Sequence, residues 1–321
     1  MKTCSLALGA LILAAAPAAA QSVSETEACT LELIVLGVGQ DGGAPQLGNS
    51  MDPAWTDPSL RRLATSIAVV DHQLDERYLF EATPDIREQL YRLDQIAPTG
   101  RRPGLDGIFL THGHMGHYTG LMFLGHESMG AQGVPVFAMP RMADYLTSNG
   151  PWSQLVRYGN IALQPMRDGV AVEAGRLSVT PIAVPHRQEF TEVVGYRIDT
   201  PGRSAFFLPD IDSWEEWEAW EDGTAMRIED VIASVDVAYL DATFFANGEI
   251  PGRDMSGFPH PFITHSMERF ADLPASERAK VRFIHFNHTN PVRYPDAPER
   301  DVVIEAGFNL ADEGERVCLD G

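Results

Sequence analysis

The chain has 321 residues, of which 44% are hydrophobic and 21% charged, and its formal net charge is −21. That composition can bury a sizeable core and argues against a disordered chain. Such an acid excess repels phosphate backbones and anionic lipid, so a small-molecule substrate is expected and neither nucleic acid nor a membrane surface is.

The first twenty residues stand apart. Lys2 precedes an apolar run from Leu6 to Ala15, and Ala18-Ala19-Ala20 before Gln21 has the small-residue form of a cleavage site. This is the pattern of a secretory signal peptide, with an apolar run too short to span a bilayer. The expectation is a periplasmic or secreted protein in which residues 1–20 are removed, residues 21–321 form a single domain, and no membrane attachment persists. Cys29 and Cys318 remain, near opposite ends of that domain. An oxidising compartment favours pairing them, although spacing alone cannot bring two Cα atoms within the roughly 6 Å that a bridge needs.

A first strand is predicted at Leu31–Leu36, running into the glycine-rich turn Gly37-Val-Gly-Gln-Asp-Gly-Gly43. No Gly-Lys-Ser/Thr follows that turn, so it reads as a tight backbone feature near a site and not as a phosphate loop. Residues 44–62 are proline-rich and loop-like. Ala64–Asp71 and Arg77–Glu81 are predicted as a strand pair. Thr83-Pro-Asp then offers an N-cap, a first-turn proline and an acid, so a helix is expected to start there. Gly107–Thr111 is a short buried strand. Helical spacing resumes over Gly120–Ser128, Val134–Ala138 is a strand and Pro140–Ser148 a helix.

In the second half, strands are predicted at Leu177–Val184, Val193–Asp199, Ser204–Leu208, Val237–Leu240 and Val281–Phe286, with helices near Met226–Ser234 and Ser266–Leu273. Strands alternating with helices in both halves indicate α/β layers and not an all-β sandwich. Trp214, Trp217 and Trp220 fall at helical spacing among acids, which fits a helix packed over the core better than a lid beside the site.

The sharpest chemical signal is Thr111-His-Gly-His-Met-Gly-His117, with three imidazoles directly after a buried strand. Neutral imidazole is a ligand for zinc and also suits iron. A loop at a strand end can turn His112 and His114 to one point and His117 to a neighbouring one.

The segment resembles the His-x-His-x-Asp-His signature of the metallo-β-lactamase superfamily. That resemblance implies a four-layer αβ/βα sandwich and further ligands after later strands. They are His186 in Ala-Val-Pro-His-Arg, Asp210 in Phe-Phe-Leu-Pro-Asp, and His288 in Arg282-Phe-Ile-His-Phe-Asn-His288, with His285 as competitor. Within the superfamily the chain is most similar to the pyrroloquinoline-quinone biosynthesis B family. The carriers are Gln40–Gln46, Ala82–Arg87, Gly120–Gly125 and His285–Pro291, and the likeness covers roughly residues 30–310.

The implied metal ligands are therefore His112, His114, His117, His186, Asp210 and His288, holding one or two Zn2+ ions, with Fe2+ as the alternative metal. Two departures stand out: the motif's aspartate is replaced by Gly116, and the chain carries an export signal. His112, His114 and His186 form a complete three-imidazole set, the usual catalytic zinc arrangement. The second set, His117, Asp210 and His288, lacks one oxygen ligand and one negative charge, so weaker occupancy, or a single metal, is expected there.

Three functions follow. The leading one is a periplasmic hydrolase in which metal-activated water attacks an ester, lactone, amide or phosphoester. Asp210 orients the nucleophile, and His288 holds a second ion or donates to the developing oxyanion. The second is an iron-dependent oxygenase, since two histidines and one carboxylate also compose the facial triad of non-haem iron enzymes. The third is a non-catalytic metal-binding relative. Lesser candidates are Asp241 at a strand end, His260 in a rigid proline loop, and Asn287 and Asn290, whose positions also suit turn chemistry.

Overall fold

The structure is a computed structural model that describes Met1 and residues 29–320. The expected signal segment, residues 2–20, lies outside the described residues. Among the described residues, fourteen strands form two seven-stranded sheets. The first contains β1 (Leu31–Gly37), β2 (Ser66–Asp71), β3 (Glu76–Phe80), β4 (Gly107–Phe109), β5 (Val134–Ala138), β6 (Ile161–Pro165) and β14 (Arg316–Cys318). Its spatial order is β14-β1-β2-β3-β4-β5-β6. The second contains β7 (Val172–Ala174), β8 (Leu177–Ala183), β9 (Val194–Asp199), β10 (Ser204–Leu208), β11 (Val237–Asp241), β12 (Val281–Ile284) and β13 (Asn309–Leu310), in the order β13-β12-β11-β10-β9-β8-β7.

Each sheet changes character across its width. From β14 to β3 and from β7 to β10 the neighbours are antiparallel; from β3 to β6 and from β10 to β13 they are parallel. The central strands are buried on both faces, which is why they read as continuous apolar runs such as Leu33–Leu36 and Ala205–Leu208. Between the sheets, Leu33, Val35, Phe80 and Phe109 meet Tyr196, Phe207 and Val179 in one core. Phe109 stacks between Phe80 and Phe137, with ring centroids 4.8 and 4.3 Å away.

The outer face of the first sheet is covered by helices Ile86–Ile96 and Pro140–Ser148, through Ile86, Leu93, Met142 and Leu146. The outer face of the second is covered by Trp214–Glu218, Ile228–Ala233 and Ile263–Arg269. Helix, sheet, sheet and helix make the expected four-layer αβ/βα sandwich. Trp214 and Trp217 are fully buried, and Trp214 Nε1 donates to Ser266 Oγ, so this pair serves packing. Burying each such ring is worth about 1.5–3 kcal/mol or more.

Several expected boundaries move. The helix expected from Thr83 begins at Ile86, because the Thr83 hydroxyl accepts from Asp85 N and from there also donates to Gln89, which makes a turn before the helix. Residues Thr119–Leu124 form a 3-10 turn and not a helix through Ser128, since the chain folds back at Gly125 and Gly130. The helix expected over Ser266–Leu273 lies at Ile263–Arg269.

Cys29 and Cys318 form a disulfide, with Cα atoms 5.8 Å apart. Pairing of β1 with β14, in which Glu32 faces Cys318, supplies the proximity that sequence spacing could not. No described helix is long and apolar enough to cross a membrane.

Candidate metal centre

Strands of both sheets that run in the same direction release their C-terminal ends toward one place, the usual location of a site in an α/β layer. Beyond β3 comes Glu81, beyond β4 His112, His114 and His117, beyond β8 His186, and beyond β10 Asp210. Asp241 closes β11, and His285 follows β12 directly.

His112, His114 and His186 form one group whose nitrogen ligand atoms lie within 4.8 Å of one another, and His112 Nε2 is 2.9 Å from His114 Nδ1. Asp210 stands between this group and a second one. Its Oδ2 is 3.7 Å from His112 Nε2, 2.9 Å from His117 Nε2 and 3.4 Å from His285 Nε2, and its Oδ1 is 3.8 Å from His186 Nε2. Five of the six expected ligands thus converge.

The sixth, His288, does not. Its Nδ1 contacts Asn49 Nδ2 at 3.2 Å, and it joins none of the metal-capable groups among the described residues. His285 takes the place expected of His288. It is the first residue after β12, fully buried, with a left-handed backbone at φ 72° that turns it inward. His288 sits on the following turn, held by Asn287 and Asn290. Asn290 caps the turn Pro291–Arg293 and donates to Ala242 O, and Asn287 accepts from Thr289 N, so both asparagines brace this turn.

Four cluster imidazoles, those of His112, His114, His186 and His285, have a hydrogen-bond partner behind them, which fixes ring orientation and tautomer, while His117 has a carboxylate nearby without a hydrogen bond. Thr111 Oγ1 lies 2.8 Å from His112 Nδ1, Glu189 3.0 Å from His114 Nε2, and Asp212 2.8 Å from His186 Nδ1. Thr243 Oγ1 is 3.0 Å from His285 Nδ1, and the fully buried Glu81 is 3.4 Å from His117 Nδ1. Among these partners, Glu81, Glu189, Asp212 and Thr243 gave no usable signal in sequence; only the positions of Glu81, Asp212 and Thr243 just beyond strands could have suggested them.

His260 and Asp241, weaker sequence candidates, form a second buried pair. His260 Nδ1 is 2.8 Å from Asp241 Oδ2 and 3.6 Å from Asp210 Oδ1. Asp241 also accepts from Ile211 N and Thr243 N, so it is a positioned acceptor.

One residue was missed altogether. Asp41, in the glycine-rich turn, brings its Oδ1 to 3.3 Å from His117 Nε2, and forms a metal-capable group with His117 and His285.

The electrostatics call for positive charge. Burial would raise the Asp210 carboxyl, but the His285 and His117 imidazoles outweigh it and hold the group well below the usual carboxylate range. Burial together with the neighbouring His117 pushes His112 down, which favours the neutral ligand form. Burial also opposes charge on His117, yet Glu81 and Asp210 reverse it and raise that imidazole. Burial opposes charge on His260 as well, and Asp241 overcomes it in the same way.

The donor set fits a cation on a direct observation. His117 Nε2, His285 Nε2 and Asp210 Oδ2 are buried, within 3.4 Å of contact through Asp210, and yet none makes a hydrogen bond. Buried polar atoms are normally satisfied, and an ion is one of the partners that resolves such exceptions. Imidazole and carboxylate donors suit zinc or iron.

This fold and cluster define a class. Residues 76–292 match the β-lactamase superfamily domain, and the chain belongs to that family. Among particular relatives, it is 26% identical to coenzyme PQQ synthesis protein B of Methylorubrum populi, over 88% of this chain and 98% of that protein. It is 27% identical to the Gluconacetobacter diazotrophicus protein of the same name, over 89% and 99%. The fold is shared with the zinc-bound PqqB of Methylobacterium extorquens, with a TM-score of 0.72 and 23% identity over 89% of this chain and 99% of that one. It is also shared with a diphosphatase of the PhnP family, with a TM-score of 0.63 and 24% identity over 89% and 96%.

Proposed function

We propose that the protein is a metal-dependent hydrolase of the periplasm or cell exterior, acting on a small ester, lactone, amide or phosphoester. The observation that carries this reading is the convergence of His112, His117, His186 and His285, from three strand ends, on Asp210, with buried donor atoms left without a hydrogen bond. A zinc-type cation held by His112, His114 and His186 supplies Lewis acidity and lowers the pKa of water toward ~7.

The chain's own groups do the rest. Asp210, kept ionised, accepts a hydrogen bond from the attacking water and orients it. Thr111, Glu189 and Asp212 hold the three imidazoles in register. His260 donates through Nδ1 to Asp241, and its Nε2 has no hydrogen-bond partner among the described residues, so that nitrogen is placed to pass a proton to the leaving group. The acidic surface supports small substrates over nucleic acid, and the Cys29–Cys318 disulfide supports an oxidising compartment.

A second reading, an iron-dependent oxygenase, is favoured by the two-histidine, one-carboxylate set of His117, His285 and Asp210 and by the likeness to PQQ synthesis proteins. Metal analysis of protein purified without added metal separates the two. Zinc with hydrolysis independent of oxygen supports the hydrolase; iron with oxygen consumption overturns it. His260→Ala is expected to lower kcat by about 10²–10⁴-fold at unchanged metal content. An unchanged kcat would remove His260 from proton transfer.

A further inference from the structure

The sequence departs from its superfamily motif at Gly116, and the loss of that carboxylate predicts a weak second cation site. The structure places a different carboxylate in the vacated space. A Cβ built on Gly116 would lie 2.4 Å from Asp41 Cα, 2.9 Å from its Cβ and 2.6 Å from its Oδ1. These are backbone and near-backbone atoms, so a side chain at 116 and Asp41 in its present position exclude each other.

Asp41 is held there firmly. Its φ is 43°, a left-handed conformation that costs most side chains energy and that Asp tolerates better than most. Gly43 N donates to Gln40 O and closes the turn, and Gly43, at φ 69°, has no room for a Cβ against Arg62 O. The turn is fastened to the segment that carries His285. Gln40 N donates to Phe286 O, Phe286 N donates to Val38 O, and the Asn287 amide donates to Gln40 Oε1. A backbone strained in this way, next to buried atoms with no partner, is a pattern found at ligand sites.

We propose that Asp41 is the carboxylate ligand of a second divalent cation, gripped together with His117, His285 and Asp210, and that it replaces from a remote turn the ligand missing at Gly116. The positions of Asp41, His117 and His285 carry the proposal: their ligand atoms lie within 4.8 Å of one another. The unpartnered His117 Nε2, His285 Nε2 and Asp210 Oδ2 are the independent sign that something charged belongs between them. Two carboxylates, Asp210 and Asp41, then face the two cations, and half of the Asp41 side chain is open to solvent, which puts this cation at the mouth of the site. The proposal rests on the cluster being a cation site at all.

The test is Zn2+ titration of the full-length, metal-stripped protein by calorimetry, with stoichiometry checked by metal analysis. Wild type is expected to take up two equivalents. Asp41→Asn, nearly the same in shape, should keep one and bind the other at least ~10-fold more weakly, by analogy with losses seen even beyond the ligands themselves. A single equivalent in wild type, or two unchanged equivalents in Asp41→Asn, overturns the role of Asp41 and leaves the first cation intact. No uptake by wild type overturns the cation site itself.

Discussion

Strand β1 joins two ends of the molecule that handle polar groups in opposite ways. At its start, no buried side-chain polar atom of Glu32, Asp71, Thr30, Arg176 or Asp320 is left without a partner. Asp71, opposite Leu31, accepts from Arg176 Nε at 2.6 Å and from the amides of Gln73 and Leu74; Asp320 accepts from Thr30, and the disulfide lies alongside. At its finish, beyond Gly37, buried His117, His285, Asp210 and Glu81 have atoms with no hydrogen-bond partner. Three of the four non-glycine residues with positive φ among the described residues, Asp41, Glu81 and His285, are also there. One chain with one packing style satisfies its polar groups at the first end and leaves them open at the second. The open end is therefore a local requirement of the site and not loose construction.

The contrast breaks most directly at His285. His285→Ala is expected to abolish uptake of a second cation and to cut turnover by at least ~100-fold, as when a preorganised polar group at a reaction centre is removed. His288→Ala should change neither by more than about twofold. Equal losses in both would mean that the site end was drawn around the wrong imidazole.

At the closed end the effects concern stability. Replacing Cys29 and Cys318 together by Ala frees a loop of 289 residues and should lower unfolding free energy by about 2–5 kcal/mol, with kcat/KM unchanged. Denaturant unfolding measures the first and steady-state kinetics the second. If turnover falls with stability intact, the two ends are coupled and the comparison fails.

The smallest effect belongs to Asp71. Burial would raise its carboxyl, but the Arg176 guanidinium and two backbone amides outweigh that and hold it below the usual value. Since the folded carboxyl ionises more readily than the unfolded one, its contribution is complete above the ordinary aspartate pKa of ~3.9 and fades as the pH falls through the lower folded value. Arg176→Ala should shrink the stability difference between pH 5 and pH 3 in urea melts. An unaltered difference would show that Arg176 is not what holds Asp71 ionised.

Much of the architecture was legible because it rests on short-range patterns. Val134–Ala138, Pro140–Ser148 and Ser204–Leu208 were bounded correctly from apolar runs and a first-turn proline. The three-histidine loop after β4 was equally plain. What escaped depended on tertiary geometry. His285 and His288 both follow a late strand, and only the left-handed turn at His285 decides which one enters. Asp41 could have been suspected by setting a missing carboxylate at 116 beside an extra one in Gln40-Asp-Gly-Gly43. Nothing in linear spacing says that those two positions touch. The edge strands β7 and β13, three and two residues long, are too short to show a period.

The Cys29–Cys318 link gives the described chain the topology of a nearly closed covalent ring. A protease that cut an exposed loop anywhere inside that ring would linearise the molecule without releasing a fragment. Both pieces would stay tethered beside their partner strands until a reductant parted them, so a single nick is an injury from which this protein can hold itself together.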